Sequence, residues 1–196
     1  MNLPNIIGVT GLKFNGKDTI ADYLCERYGY TRVAFADPLK EICGTLFGFS
    51  REQLYGDLKE VADPEWFDVT PRKILQFVGT ELFRENMSKL HLSFRDEFWL
   101  LCAKKKINDL LSKDPNVRVV VSDVRFPNEC AMIAKLGGVV VRVTRPSINI
   151  TTDLHSSEKC IPTLEVSSEL FNTGTVPDLH KLVDKYIKQL SIAHGG

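Results

Sequence analysis

A chain of 196 residues has room for one domain with a full core and is short for two. Apolar residues at 43% and charged residues at 26% exclude a disordered or low-complexity chain. Lys plus Arg, 25, balance Asp plus Glu, 25, so no net field draws the protein to a nucleic acid polymer or an acidic membrane, and any anion must be held by local charge.

The chain opens with a strand at Asn5–Thr10, inside an apolar run from Ile6 to Leu12 that lacks a preceding basic segment and passes straight into a glycine loop. That run is too short to cross a membrane, as is every other, so the reading is an unexported, cytoplasmic protein. A helix follows, with Ile20, Ala21, Leu24 and Tyr28 on one face, then a strand at Arg32–Ala36. Asp37-Pro38 and Thr70-Pro71 each look like a cap followed by proline at the first helical position. The first starts a helix carrying Leu39, Ile42, Cys43, Leu46 and Phe47. The second starts one that runs to about Arg84 and buries Ile74, Leu75, Val78 and Leu82.

A helix over roughly Arg95–Leu111 carries Leu100, Ala103, Ile107 and Leu110, with Trp99 in the core and Lys104, Lys105 and Lys106 in water. Strands at Arg118–Ser122, Val139–Thr144 and, weakly, Leu170–Asn172 precede a last helix over Pro177–Leu190. Near-continuous apolar strands alternating with helices predict a doubly wound α/β fold, a five-stranded parallel sheet with helices on both faces. Five scattered cysteines without a C-x-x-C pair suit reduced thiols, not a zinc site.

The chemistry starts at Gly11-Leu-Lys-Phe-Asn-Gly16-Lys17-Asp18-Thr19. Gly11, Gly16 and Lys17 have the spacing of a phosphate-cradling loop, placed between a strand and an amphipathic helix, so that backbone N–H groups can surround a polyphosphate at the positive end of a helix. Asp18 stands where a hydroxyl normally holds magnesium; a carboxylate in the first helical turn can hold the hydrated ion through water. Thr19 is placed to reach the phosphate nearer the ribose, and Lys13 adds charge to the loop. A second metal candidate is Asp123, at the end of the apolar strand "VRVVVSD".

In order along the chain, "GLKFNGKDT", "ADPLK", "TPRKILQFVGTELFR", "EFWL", "VVVSDVRFPNE", "VTRP", "HSSE" and "NTGTVPDLHKLVDKYI" resemble the deoxynucleoside monophosphate kinases of bacteriophages and large DNA viruses. The resemblance spans nearly the whole chain, and "GKDT" paired with "SDVRFPNE" is its specific part. It implies a P-loop, nucleoside monophosphate kinase-like domain over 1–196, with an acceptor-binding helical insertion at about 37–111 and a lid at about 145–160. It implies ATP and Mg2+ as cofactors, a dNMP as the small-molecule substrate, and a homodimer.

Under that resemblance Gly11, Asn15, Gly16, Lys17, Asp18 and Thr19 bind ATP, and Asp18 and Asp123 hold the metal. Arg72, Gln76, Gly79, Thr80 and Phe83 fall on the face of the Pro71 helix away from its apolar stripe and become the nucleotide wall, to which Asp37 and Lys40 contribute. Arg125, two residues past Asp123, contacts the acceptor or the transferring phosphate unless it pairs with Glu129 as a structural clamp. Lys17, Arg125, Lys13 and Arg145 neutralise the transition state, with Arg145 favoured over Arg142 for the lid, and Glu158 belongs to an H-x-S-E pattern on the acceptor side. Two other readings stay open: a small-molecule phosphate kinase like the phosphomevalonate kinases, and a nucleotide-binding module without turnover.

Overall fold

The computed structural model describes residues 3–147 and 160–193. Contacts divide the chain into two compact units, residues 1–34 with 103–196, and residues 35–102.

The first unit is built on five parallel strands: β1 (Ile6–Thr10), β2 (Tyr30–Val33), β3 (Arg118–Val124), β4 (Val139–Thr144) and β5 (Ser168–Phe171). Their order is β2-β3-β1-β4-β5, so β1 lies at the centre with β3 and β4 as neighbours. Every residue of β1 is buried, as a strand covered on both faces requires. α1 (Lys17–Tyr28) and α7 (Val176–Ala193) cover one face, where Ile20, Leu24, Leu179, Val183 and Ile187 pack on Ile7, Val9, Val141 and Val143. α6 (Pro127–Lys135) packs on β1 and β4, burying Met132 and Ile133. Parallel pairing forces each connection to cross over a face, so the loops after β1 and β3 leave from adjacent carboxyl ends.

α1 and α7 share a polar contact. The phenols of Tyr23 and Tyr28 both donate to Asp184 Oδ1, at 2.9 and 2.7 Å, and Tyr23 stacks on His180 at 4.0 Å. Burial alone would raise the Asp184 carboxyl, but the Tyr28 and Tyr23 hydrogen bonds outweigh it and hold the group below the usual carboxylate range. Burial, then the bond to Asp184, push Tyr28 up to about 12.

The second unit is helical: α2 (Asp37–Phe47), α3 (Arg51–Tyr55), α4 (Pro71–Gln76), a π-helical continuation over Phe77–Asn86, and α5 (Phe94–Lys113), within which the boundary between units falls. Cys43, Phe49, Leu54, Leu75 and Val78 form its core. Thr70 caps α4, accepting from the Lys73 N–H at 3.3 Å, with Pro71 first in the helix as expected. Trp99 is buried and donates its indole N–H to the Gly79 carbonyl at 2.9 Å.

Three sequence expectations need correction. β2 runs over Tyr30–Val33, not Arg32–Ala36, because Ala36 is already in the helical region as the cap of α2. Asp37 is therefore the first residue of that helix and not its cap. Leu82 is 41% exposed: a period of 3.6 places it inward, but the wider π-helical turn from Phe77 rotates it out. Among the described residues no helix is long and apolar enough to cross a membrane, and the cysteines described are free thiols.

Trp99→Phe removes the indole donor to the Gly79 carbonyl, a carbonyl that also lies within the π-helical segment, so urea denaturation should show a loss of about 0.5–1.5 kcal/mol. A depressed carboxylate contributes stability that is present above the usual carboxylate range and lost as pH falls through its folded value. Asp184→Asn should therefore lower the urea midpoint at neutral pH and flatten its decline below roughly pH 4, followed by titrating the midpoint against pH.

Candidate active site

The glycine loop leaves β1 pressed against β4. A Cβ on Gly11, whose φ is +150°, would lie 2.4 Å from the Val143 carbonyl oxygen, a distance no side chain tolerates. Asn15 is buried, and its carboxamide donates to the same Val143 oxygen at 3.0 Å. Asn172, just past β5, donates from Nδ2 to the Asn15 carbonyl at 3.0 Å, while its own N–H reaches Thr144 O at 2.8 Å. Gly16, with φ +104°, would bring a Cβ within 2.9 Å of Leu179 and 3.0 Å of the Asn172 amide. The loop is thus held by β4, by the residue after β5, and by α7.

So restrained, the loop has donors left over. Of the amides from Lys13 to Gly16, only that of Asn15 donates to a backbone carbonyl among the described residues, to Leu12 O at 3.2 Å. Lys17, first in α1, turns its ammonium to the same Leu12 oxygen at 2.8 Å. Phe14 stands between in the left-handed region, φ 66°, with its ring 72% exposed and the Lys13 ammonium 4.9 Å from the ring centre. Amides, two ammonium groups and a helix start at one turn are the kind of groups that can hold a polyanion.

The acidic candidates lie on the neighbouring elements. Asp18 and Asp22 are one turn apart on α1, and Arg32 of β2 bridges them, pairing with Asp18 Oδ1 and with Asp22 Oδ1 at 2.8 Å. The same guanidinium donates from Nε to Ser122 Oγ of β3 at 3.0 Å. Burial pulls the guanidinium down, but Asp18 and Asp22 together raise it, so it stays charged. Asp123 follows Ser122 where pairing with β1 slips: Gly8 faces Val121 and Thr10 faces Val124, two residues on one strand against three on the other. That bulge re-aims the end of β3 beside the loop. Thr10 Oγ1, one residue before Gly11, is buried without a hydrogen-bond partner among the described residues.

No three metal-ligating side chains cluster among the described residues. One or two carboxylates beside a phosphate cradle suit magnesium, which keeps most of its waters and takes the rest of its ligands from phosphate; Asp18 and Asp123 fit that demand. Thr19, one residue beyond Asp18, is half-buried in the first turn of α1.

On the far side of β3, Glu129 accepts from the backbone N–H groups of Arg125, at 2.7 Å, and Phe126, at 3.1 Å, closing the start of α6. Glu129 thus holds the main chain of Arg125. Arg142 is committed to the interior, donating to the Leu164 carbonyl, whereas Arg145 follows the end of β4. Glu158, with His155 and Ser157, lies outside the described residues.

Within the helical unit the expected nucleotide wall divides. Gln76 and Thr80 are exposed, and Arg72 is paired with Glu60. Gly79 and Phe83 are not on that face. A Cβ on Gly79 would lie 2.8 Å from Leu39 Cδ2, so this glycine admits α2, and Phe83 packs 4.9 Å from Phe98 and 5.1 Å from Trp99. The π-helical turn that exposes Leu82 also draws these two inward. Lys40 lies 3.9 Å over the Tyr55 ring, and Asp37 opens the same helix, α2.

Sequence reasoning missed Arg32 and Asn172. Arg32 was visible only as a charge in a strand. Asn172 stood in the quoted "NTGT", but nothing in its spacing signals a contact with residue 15.

A strand order of 2-3-1-4-5 with a glycine loop at the central strand and a carboxylate at its neighbour defines a P-loop kinase fold. The structure of dephospho-CoA kinase from Campylobacter jejuni shares it, at a TM-score of 0.50 and 18% identity, over 96% of this chain and 98% of that one. The family model described as deoxynucleotide monophosphate kinase matches residues 51–183, and the chain belongs to that family. Its relatives include a protein of Acanthamoeba polyphaga mimivirus provisionally named a deoxynucleotide monophosphate kinase, 43% identical with 78% of this chain and 80% of that protein aligned. Another is the deoxynucleoside-5'-monophosphate kinase of Escherichia phage T5, at 25% identity over 85% of this chain and 89% of the phage enzyme.

Asn172→Ala leaves the Asn15 carbonyl buried without its donor. A loss of about 1–3 kcal/mol in denaturant, with weaker ATP binding by calorimetry, is expected. Unchanged ATP affinity would mean that the loop keeps its shape without this tether.

Proposed function

We propose that this kinase transfers the γ-phosphoryl group of ATP to a deoxynucleoside monophosphate, giving ADP and a deoxynucleoside diphosphate. The observation that carries the reading is the tethered loop, with amides of Lys13, Phe14 and Gly16 that take no backbone acceptor among the described residues and the Lys17 ammonium beside them, in a chain of this family. Those groups suit the β- and γ-phosphates. Thr19 suits the phosphate nearer the ribose, and Gly11, Asn15 and Gly16 shape the turn.

An oxygen of the acceptor's phosphate forms the new bond to γ-phosphorus as the bond to the ADP oxygen breaks. That oxygen is already ionised at neutral pH, so no nucleophilic side chain is required, and positioning with charge neutralisation carries the acceleration. Lys17, Lys13, Arg125 and Arg145 are the cations assigned to the charge on the transferring group. Asp18 and Asp123 would hold magnesium, which would supply further neutralisation of charge on the phosphate oxygens. For the acceptor we assign Arg72, Gln76, Thr80, Asp37 and Lys40, with Glu158 as the family pattern implies. Gly79 and Phe83 support that helix from behind.

A coupled ADP-release assay across deoxynucleoside and ribonucleoside monophosphates tests the assignment. Turnover should require a monophosphate and favour at least one deoxynucleotide. Lys17→Ala should lower kcat/KM by about 10² or more, because a charge aimed at the transition state is removed. ADP release that ignores every monophosphate, or a Lys17→Ala variant within a fewfold of the parent, would overturn the proposal.

A further inference from the structure

The geometry points to Arg32 as a positioning residue for magnesium at the donor site, an inference that rests on the nucleotide reading of the glycine loop. β2 is an edge strand, and its Arg32 side chain reaches both α1 and β3. Three nitrogens of one guanidinium engage three residues: Nη2 takes Asp18, Nη1 takes Asp22, and Nε takes Ser122. Asp18 is the acidic residue that replaces the usual hydroxyl, and Ser122 precedes the other acidic candidate, Asp123, inside the bulge of β3. One planar cation therefore sets both carboxylate-bearing segments.

Asp18 needs such a restraint. Its side chain is 75% exposed, and Asp22, one turn on along α1, carries the same charge. Residues four apart on a helix are neighbours, and like charges there repel, which would drive the two carboxylates apart into solvent. Arg32 holds Oδ1 of each and leaves the second oxygen of each outside its own grip. That second oxygen of Asp18 is the acceptor we assign to the water shell of the magnesium ion. Ser122 is only 2% exposed, so the base of the guanidinium is fixed in the fold and does not sway with the surface.

The charge count explains why two aspartates are present. Asp18 with Arg32 alone would be neutral and would offer a cation nothing. With Asp22 the trio carries one net negative charge, so the cluster stays attractive to magnesium while Asp18 is held still. A planar fork with donors on three sides is what this task needs, and a lysine, with one point charge, cannot make all three contacts.

The test separates a magnesium role from a structural one by measuring binding. Affinity for a fluorescent ATP analogue is titrated with magnesium and again with EDTA, alongside the thermal midpoint. Arg32→Ala should cut the tightening given by magnesium by about tenfold, the usual effect of losing a residue that orients a metal ligand, with EDTA affinity within about twofold of the parent. Arg32→Lys should recover only part of the gain. Asp18→Asn should lose as much as Arg32→Ala, and the double variant no more than either, because both act through one carboxylate. An unchanged magnesium effect in Arg32→Ala, or an equal loss with and without the metal, would overturn the inference. Should Arg32→Ala fail to fold, the same comparison is made on Arg32→Lys, where a full magnesium effect overturns the inference and a reduced one supports it. Failure of the nucleotide reading itself would look different: the parent would not bind the analogue under either condition.

Discussion

Two buried carboxamides, Asn15 and Asn172, hold the glycine loop to the carboxyl ends of the strands, and the remaining features of the donor site depend on that restraint. A loop of six residues between a strand and a helix has many conformations, most of which point its amides in different directions. Fixing each residue in one well costs about 1–2 kcal/mol, and an anion that had to order the loop on binding would lose that much affinity at each position. Here the ordering is done by the fold. Asn15 fastens the loop to β4, Asn172 fastens it to the residue after β5, and the missing side chains at Gly11 and Gly16 let the backbone come close enough for both bonds to form. Under the proposed function, the donors that remain are those available to an incoming phosphate.

Electrostatics on the other side of α1 follow from the same placement. The loop and the start of α1 concentrate positive charge from Lys13, Lys17 and the helix dipole. Asp18 and Asp22 place negative charge along the next turn of the same helix, and Arg32 is paired with both. A charge-balanced chain thereby carries local charges of opposite sign side by side at the start of α1. Net charge, 25 against 25, says nothing of this.

The sheet was legible in the sequence because its strands are buried on both faces, and burial leaves short runs of β-branched residues, such as the three consecutive valines of β3, whose composition and brevity favour a strand over a helix. The loop was legible because phosphate binding demands glycine and lysine at fixed spacing. What escaped detection did so for physical reasons. Edge strand β2, with its YTRV sequence, is half exposed and carries no apolar run, so its limits were misplaced and Arg32 had no visible role. Gly79 and Phe83 were assigned to the wrong face because a periodicity argument assumes 3.6 residues per turn, and the chain abandons that period at Phe77. Contacts at long separation, such as Asn172 with Asn15, 157 positions apart, leave no trace in local pattern at all.

The cysteines argue the same chemistry from the opposite direction. Burial raises Cys43 and Cys130 to about 11, so at neutral pH neither offers a thiolate, and their places are core positions filled by small apolar groups. A family that relied on a covalent phospho-enzyme would need an activated nucleophile near the phosphate loop. This loop and its surroundings supply instead fixed amides, ammonium groups and carboxylates whose partners are themselves held in place. For a transfer whose transition state spreads charge over phosphoryl oxygens, groups that do not move during the reaction are the effective ones, because no free energy is spent turning them to face the charge as it develops. Under the proposed transfer, the two asparagines that fasten the loop would matter to the rate alongside Lys17, because they hold the backbone from which the loop's amides point.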